Sequence, residues 1–165
     1  MTPPEQRPLL FLDIDGTLLP FGDRTRREAP STAVDPHLER LDPQLGLRLA
    51  ALPCDLIWAT TWEDEANTEI APRIGLPPLP VVHWPEPSAE HEHEDRWFGL
   101  HWKTRPLVEW AKGRPFVWVD DEITDADRDW VPTHHHGRAL LHHVTPSRGL
   151  TVEDFAVLNQ WLRTL

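Results

Sequence analysis

Short, nearly continuous apolar runs separated by stretches of helical periodicity constrain this chain most, because that alternation marks strands covered on both faces. Residues 9–12 (Leu9-Leu10-Phe11-Leu12) open the series, and 55–59, 79–83, 115–119 and 139–144 also read as strands. Of these, 55–59 and 115–119 are apolar almost throughout. Helical signals lie between them. Asp42 can cap a helix with Pro43 at its first position and with Leu45, Leu49 and Leu52 on one face. A second helix follows Trp62 and is expected to end before Pro72, since proline breaks a helix interior. A third covers 103–111, with Leu107, Trp110 and Ala111 on its apolar side and Gly113 beyond its end. A short acidic helix after Asp121 and a terminal one over 152–165, striped by Phe155, Leu158 and Leu162, complete the set. Strands alternating with helices predict parallel βαβ units. The expected fold is therefore α/β, a Rossmann-like open parallel sheet of about five strands with helices on both faces.

Ligands of such sheets bind outside the carboxyl ends of the strands. The chemistry-bearing residues fall there: Asp13 and Asp15 after the first strand, Thr60 after the second, Asp120 and Asp121 after the fourth. Strand residues i and i+2 point the same way, so Asp13 and Asp15 leave the sheet edge side by side while Ile14 turns to the core. Two acids so placed suit a cation. Gly16 permits a sharp turn close to a ligand, and Thr17 has a hydroxyl and an N–H to offer an anion. An acidic pair followed by glycine is also an ordinary turn after a buried strand, so the remaining motifs must decide.

A chain of 165 residues fits one domain able to bury a real core. Its 18 prolines imply many stiff connections between short elements. Cys54 is the only cysteine, which excludes an internal disulfide, and residues 1–8 lack the basic start and apolar stretch of a secretion signal. A cytoplasmic location is the expectation. No apolar run approaches the ~20 residues a bilayer span requires. The net charge of −11 argues against general nucleic-acid binding, which depends on neutralising phosphates with Lys and Arg. A specific phosphate-bearing polymer end remains compatible with a small mouth. The only lysines, Lys103 and Lys112, make a catalytic lysine easy to nominate.

The ordered set Asp13-x-Asp15-Gly16-Thr17, Leu56-Ile57-Trp58-Ala59-Thr60, Lys103 and Val117-Trp118-Val119-Asp120-Asp121 resembles the four motifs of the haloacid dehalogenase (HAD) superfamily of phosphohydrolases. A more distant resemblance is to HAD-like domains linked with RNA repair, which the acidic charge does not favour. The superfamily resemblance implies that Asp13 is the nucleophile, forming a transient aspartyl phosphate, and that Asp15 protonates the leaving group and later activates water. It implies Mg²⁺ held by Asp13, Asp120 and the main-chain carbonyl of Asp15, with Asp121 as a further candidate. It places Thr60 and Lys103 on the phosphoryl oxygens, beside Gly16 and Thr17. Thr61 is an alternative hydroxyl, Asp125 an alternative support for the metal or for Lys103, and Lys112 a rival lysine near the far end of its helix.

Caps in this superfamily are inserted where 18–42 and 84–102 lie here, and both segments are short. A single domain over 1–165 with a minimal lid and an open mouth is expected. Arg24, Arg26 and Arg27 could attract an anion, although a solvated loop face is the more economical reading. Trp62, Trp84, Trp97 and Trp102 fall on the expected site side, where an indole can stack on a base or sugar or pack its own loop. Trp58, Trp110, Trp118 and Trp161 are assigned to packing. The cluster 91–95 (His91-Glu92-His93-Glu94-Asp95) reads as a flexible polar loop, and neither it nor His134-His135-His136 with His142-His143 has zinc-site spacing. The expected function is Mg²⁺-dependent phosphomonoester hydrolysis of a phosphorylated small molecule or polymer end. Phosphotransfer through the same intermediate and a non-catalytic phosphate-binding module are the alternatives.

Overall fold

The computed structural model describes residues 7–20, 38 and 41–165. Four strands, β1 (Leu9–Leu12), β2 (Asp55–Trp58), β3 (Phe116–Asp120) and β4 (Ala139–His143), form a parallel sheet in the order β2-β1-β3-β4. The chain goes from β1 to one side for β2 and then to the other for β3. A crevice between β1 and β3 results at their carboxyl ends, where such sheets bind ligands. Register makes the rim level: Leu12 pairs with both Trp58 and Val119.

Alternation along the strands builds two cores. Leu10, Leu12, Trp58, Val117 and Val119 face a cluster that takes in α1 (Gln44–Ala50), α2 (Ala71–Ile74) and α6 (Val152–Leu162). Leu9, Phe11, Ile57, Phe116 and Trp118 face the opposite cluster, with α4 (Thr104–Ala111) and α5 (Asp125–His134). Helices therefore cover both faces, as the continuous apolar runs require. Gly46 lets α1 press against α2: a Cβ there would collide with the Ile74 carbonyl.

The helix starts follow local chemistry. Asp42 accepts a hydrogen bond from the Gln44 amide at 2.9 Å, the capping role expected of it. Thr124 and Thr151 cap α5 and α6, each in a reciprocal box with the aspartate three residues on. In α6 that aspartate, Asp154, accepts from the Thr151 amide at 2.8 Å and meets His142 at 2.8 Å. Burial alone would raise the Asp154 carboxyl, but the Thr151 amide and His142 outweigh it and hold the group below its ordinary 3.8. Replacing Thr151 with Ala should cost about 1 kcal/mol, roughly 2–4 °C in Tm for a chain of this size. Because the Asp154 pKa is depressed on folding, its contribution is complete above pH 3.8 and disappears as pH falls through the lower folded value. Thermal melts of wild type and Asp154→Asn should therefore differ at neutral pH and converge in acid.

Three expectations are corrected. The segment 79–83 does not form a strand, because Pro80 has no N–H for a ladder. Only a Trp58–Val81 bridge survives, with Trp58 N donating to Pro80 O and Val82 N to Trp58 O, both at 2.9 Å. The helix after Trp62 does not stop before Pro72. It runs as a π-helical turn over Ala66–Ile70 and restarts as α2, so that Pro72 falls in a new first turn, where its missing N–H costs little. The acidic stretch 91–95 is not a loop but part of α3 (Ala89–Phe98). Ser88 caps it, Arg96 reaches back to Glu92 at 3.0 Å, and Gly99 at φ +82° closes it. These signals sufficed without any apolar stripe, for α3 has no buried residue. It lies within 84–102, whereas most of 18–42, including Arg24, Arg26 and Arg27, lies outside the described residues. Among the described residues no helix is long and apolar enough to cross a membrane.

Candidate active site

β1 is central, so the residue following it is flanked by the ends of β2 and β3. Asp13 occupies that position, its amide donating to Val119 O at 3.2 Å. Beyond it the chain folds into a tight turn. Ile14 O accepts from the amides of Thr17, Leu18 and Leu19 at 3.1, 2.9 and 3.0 Å, Gly16 N donates to Leu19 O at 2.8 Å, and Gly16 takes φ +77°. The turn is the one foreseen for Gly16, but the amides of Gly16 and Thr17 are spent inside it. An anion-facing Thr17 N–H is therefore corrected; the buried Thr17 Oγ1 retains no partner.

Lys103 joins the strand ends. Its Nζ donates to Asp13 Oδ1 at 3.0 Å, Asp120 Oδ2 at 2.8 Å and Ala59 O at 3.0 Å, and all three side chains are buried. Asp120 is further held by the Glu122 amide on Oδ1 at 2.9 Å and by Trp118 Nε1 on Oδ2 at 3.3 Å. These interactions separate the carboxylates electrically. Burial pushes Asp13 up to about 8, with Lys103 opposing and Asp120 adding to the rise. Burial also acts to raise Asp120, but Lys103 and the Glu122 amide prevail and hold it below the usual carboxylate range. Asp121 is pushed up to about 6 by burial and by its contact with Asp120. Burial works against the Lys103 charge, but Asp13 and Asp120 more than compensate and raise its pKa.

Asp15 stands beside this group rather than in it. Its Oδ2 accepts from Trp62 Nε1 at 3.0 Å, giving that indole a fixed polar partner instead of leaving it free to stack. Thr60 is fully buried; its hydroxyl accepts from the Trp62 amide at 3.2 Å and its carbonyl from Trp84 Nε1 at 3.0 Å. Thr61 is exposed, so of the two hydroxyls that of Thr60 is the one enclosed at the end of β2. Lys112 is exposed at the carboxyl end of α4, at the opposite end of the sheet. Asp125 does not reach the site: its carboxylate is 99% exposed and pairs with Arg128 at 3.4 Å.

Two residues that the sequence did not single out set the lysine. Asp127 is buried at the start of α5; its Oδ1 accepts from His101 N at 2.8 Å and Thr104 Oγ1 at 2.7 Å, while Oδ2 accepts from Thr124 N at 2.8 Å. That carboxylate ties the turn carrying Lys103 to the loop following Asp120. His101 Nδ1 accepts from Lys103 N at 3.2 Å, which leaves its Nε2–H for Glu122 at 3.1 Å. The visible signal was the Thr124-x-x-Asp127 box, which explains α5 but not its partner on α4.

Asp13, Asp120 and Asp121 each present a carboxylate oxygen within 4.8 Å of the other two. With all three ionised, three carboxylates against one lysine leave two negative charges, and the buried Asp121 Oδ1 has no hydrogen-bond partner. Hard oxygen donors with that residual charge fit a divalent cation such as Mg²⁺. No histidine joins such a group among the described residues. Instead His134 stacks on Trp130 at 3.8 Å, and His135 packs edge-on to Phe116 at 4.7 Å.

A family model described as "HAD domain in Swiss Army Knife RNA repair proteins" matches residues 9–155. No curated protein and no solved structure gives a significant match. The match spans all four strands and every residue of the buried cluster, and it brings the more distant of the two resemblances to the front.

Proposed function

Since the chain belongs to the family of HAD domains in Swiss Army Knife RNA repair proteins, and its chemistry is accordingly phosphoryl transfer, we propose that it is a Mg²⁺-dependent phosphomonoesterase acting on a phosphate-bearing nucleic-acid end. One observation carries this reading: Asp13, Asp120 and Lys103 meet in a buried cluster at the sheet's switch point, with Asp121 alongside and Asp15 at its margin.

Asp13 supplies the carboxylate oxygen that bonds to phosphorus as the ester oxygen departs with a proton from Asp15. The product alcohol leaves, and Asp13 carries the phosphoryl group as a mixed anhydride. Asp15, now ionised, takes a proton from water as its oxygen attacks phosphorus, which releases inorganic phosphate and regenerates Asp13. Trp62 Nε1, donating to Oδ2, fixes the orientation of the Asp15 carboxyl group. Lys103 and the Thr60 hydroxyl hold the non-bridging phosphoryl oxygens. Asp13, Asp120 and the Asp15 carbonyl would hold Mg²⁺, with Asp121 as support. When bound, the ion compensates the clustered negative charge and favours the ionised Asp13 that attack requires.

The net charge of −11 fits engagement of one terminal phosphate rather than a long polyanion. Incubation with a generic aryl phosphate should release inorganic phosphate with Mg²⁺ and none with EDTA. Absence of release, or release that EDTA leaves unchanged, contradicts the proposal. Added alcohols should not be phosphorylated if water is the acceptor.

A further inference from the structure

Beside the cluster lies a cavity of about 650 Å³, walled on one side by α3 and on the other by α4 and its preceding turn. Its construction is unusual. A helix with no buried residue is not held by packing, and α3 is instead braced across the cavity by Arg105. The guanidinium meets both Asp95 oxygens, at 2.6 and 3.1 Å, and stacks over Trp130 at 5.1 Å. That brace ties α3 to α4.

The end of the cavity nearest the cluster is aromatic. Trp84 and Trp102 meet edge to face at 4.9 Å, and their ring centres lie 5.9 and 5.6 Å from Lys103 Nζ. His101 covers part of Trp102, which nevertheless remains 48% exposed. Trp84 is fixed by its bond to Thr60 O, so the aromatic corner and the phosphate-facing hydroxyl form one unit. The aromatic corner thus adjoins the lysine assigned to the phosphate.

Charge narrows the occupant further. The arginines lining the cavity are engaged, Arg96 with Glu92 at 3.0 Å and Arg105 with Asp95. Among the described residues no lysine or arginine pairs with Glu86 or Glu109 in the same lining, and Glu122 meets only His101. Among the described residues a second phosphate would find no unpaired cation there. Carboxylates only accept hydrogen bonds when ionised, so they suit a ring that presents amino donors.

Resting on the phosphatase reading, we propose that this cavity is a nucleobase subsite: it seats the base of the terminal nucleotide against Trp84 and Trp102, prefers bases bearing an exocyclic amino group, and admits one phosphate. The base must be unpaired to enter, so the substrate end is single-stranded or frayed.

Calorimetric titration in EDTA, where nothing is turned over, tests the subsite independently of catalysis. AMP should bind at least about tenfold more tightly than ribose 5-phosphate, and more tightly than UMP or ADP, since stacking on an indole contributes on that scale. Trp102→Ala should abolish the preference for AMP over ribose 5-phosphate, while Trp102→Phe, which keeps a stacking face, should retain most of it. Equal affinity for AMP and ribose 5-phosphate, including failure of both to bind, overturns the proposal, as does a preference that survives Trp102→Ala. Phosphocholine binding as tightly as AMP also overturns it, marking the corner as a cation cage. The phosphatase reading stands or falls separately on metal-dependent phosphate release.

Discussion

Asp13→Asn should lower phosphate release by about 10³-fold or more while leaving the protein at least as stable as wild type in metal-free buffer. The activity loss follows from chemistry, since an amide neither attacks phosphorus as a carboxylate does nor forms the mixed anhydride. The stability prediction follows from the cluster. Asp13 titrates at about 8 in the fold against an ordinary 3.8, so between those pH values the folded state holds a proton that the unfolded chain has lost. Stability therefore falls as pH rises from 3.8 to about 8, because the unfolded carboxyl ionises freely while the buried one does not, and a neutral amide avoids the penalty. Thermal melts at pH 6 to 9 beside phosphate-release rates make the comparison. A variant that is inactive because it unfolds early would contradict this account of Asp13.

Lys103→Met should fail in the opposite manner, losing stability as well as activity. It leaves Asp13 and Asp120 buried without their cation, and breaking a buried pair from one side costs about 3 kcal/mol or more. For a chain of this size that is roughly 6–12 °C in Tm. Activity should fall about 10²–10³-fold, the scale on which one transition-state donor contributes. Excess Mg²⁺ should restore part of the Tm but little of the rate, because the ion can balance the carboxylates without taking the place of the Nζ on phosphate. Lys112→Met, at an exposed position, should match wild type within about 0.5 kcal/mol. Equal melting of the two variants would show that the ion pairs of Lys103 contribute nothing.

The strand ends and the cluster were legible in the sequence for a physical reason. Short continuous apolar runs bounded by turn signals fit strands buried on both faces, and Asp13, Thr60 and Asp120 directly follow such runs. With two lysines in the chain, the choice of Lys103 over Lys112 needed only the direction of α4. What was not legible depends on contacts between distant residues. Trp62 bonds to Asp15 across 47 positions and His101 to Asp127 across 26, and no local pattern announces either. Thr124-x-x-Asp127 is readable as a capping box, but its second duty toward Thr104 appears only when α4 and α5 are side by side. The helix α3 was missed because apolar periodicity was the guide, and α3 has none to show. The reverse error came at 79–83, where apolar residues suggested a strand that the missing Pro80 N–H prevents from pairing beyond a single bridge.

The cavity beside the cluster connects these misses to function. Trp84 lies just after the failed strand, Trp102 in the turn before α4, and the unpredicted α3 makes the outer wall. Trp97, 84% exposed on α3, is not among the cavity's lining residues and takes no part in the proposed subsite.

Fluorine NMR with beryllofluoride, which adds to a carboxylate oxygen in imitation of an acyl phosphate, tests most directly whether Asp13 accepts a phosphoryl group beside a bound divalent ion. In the presence of Mg²⁺ the wild-type protein should give bound-fluoride resonances that vanish on adding EDTA and are missing from Asp13→Asn. No bound resonance in the wild type, or one that persists in Asp13→Asn, would contradict the assignment of that carboxylate.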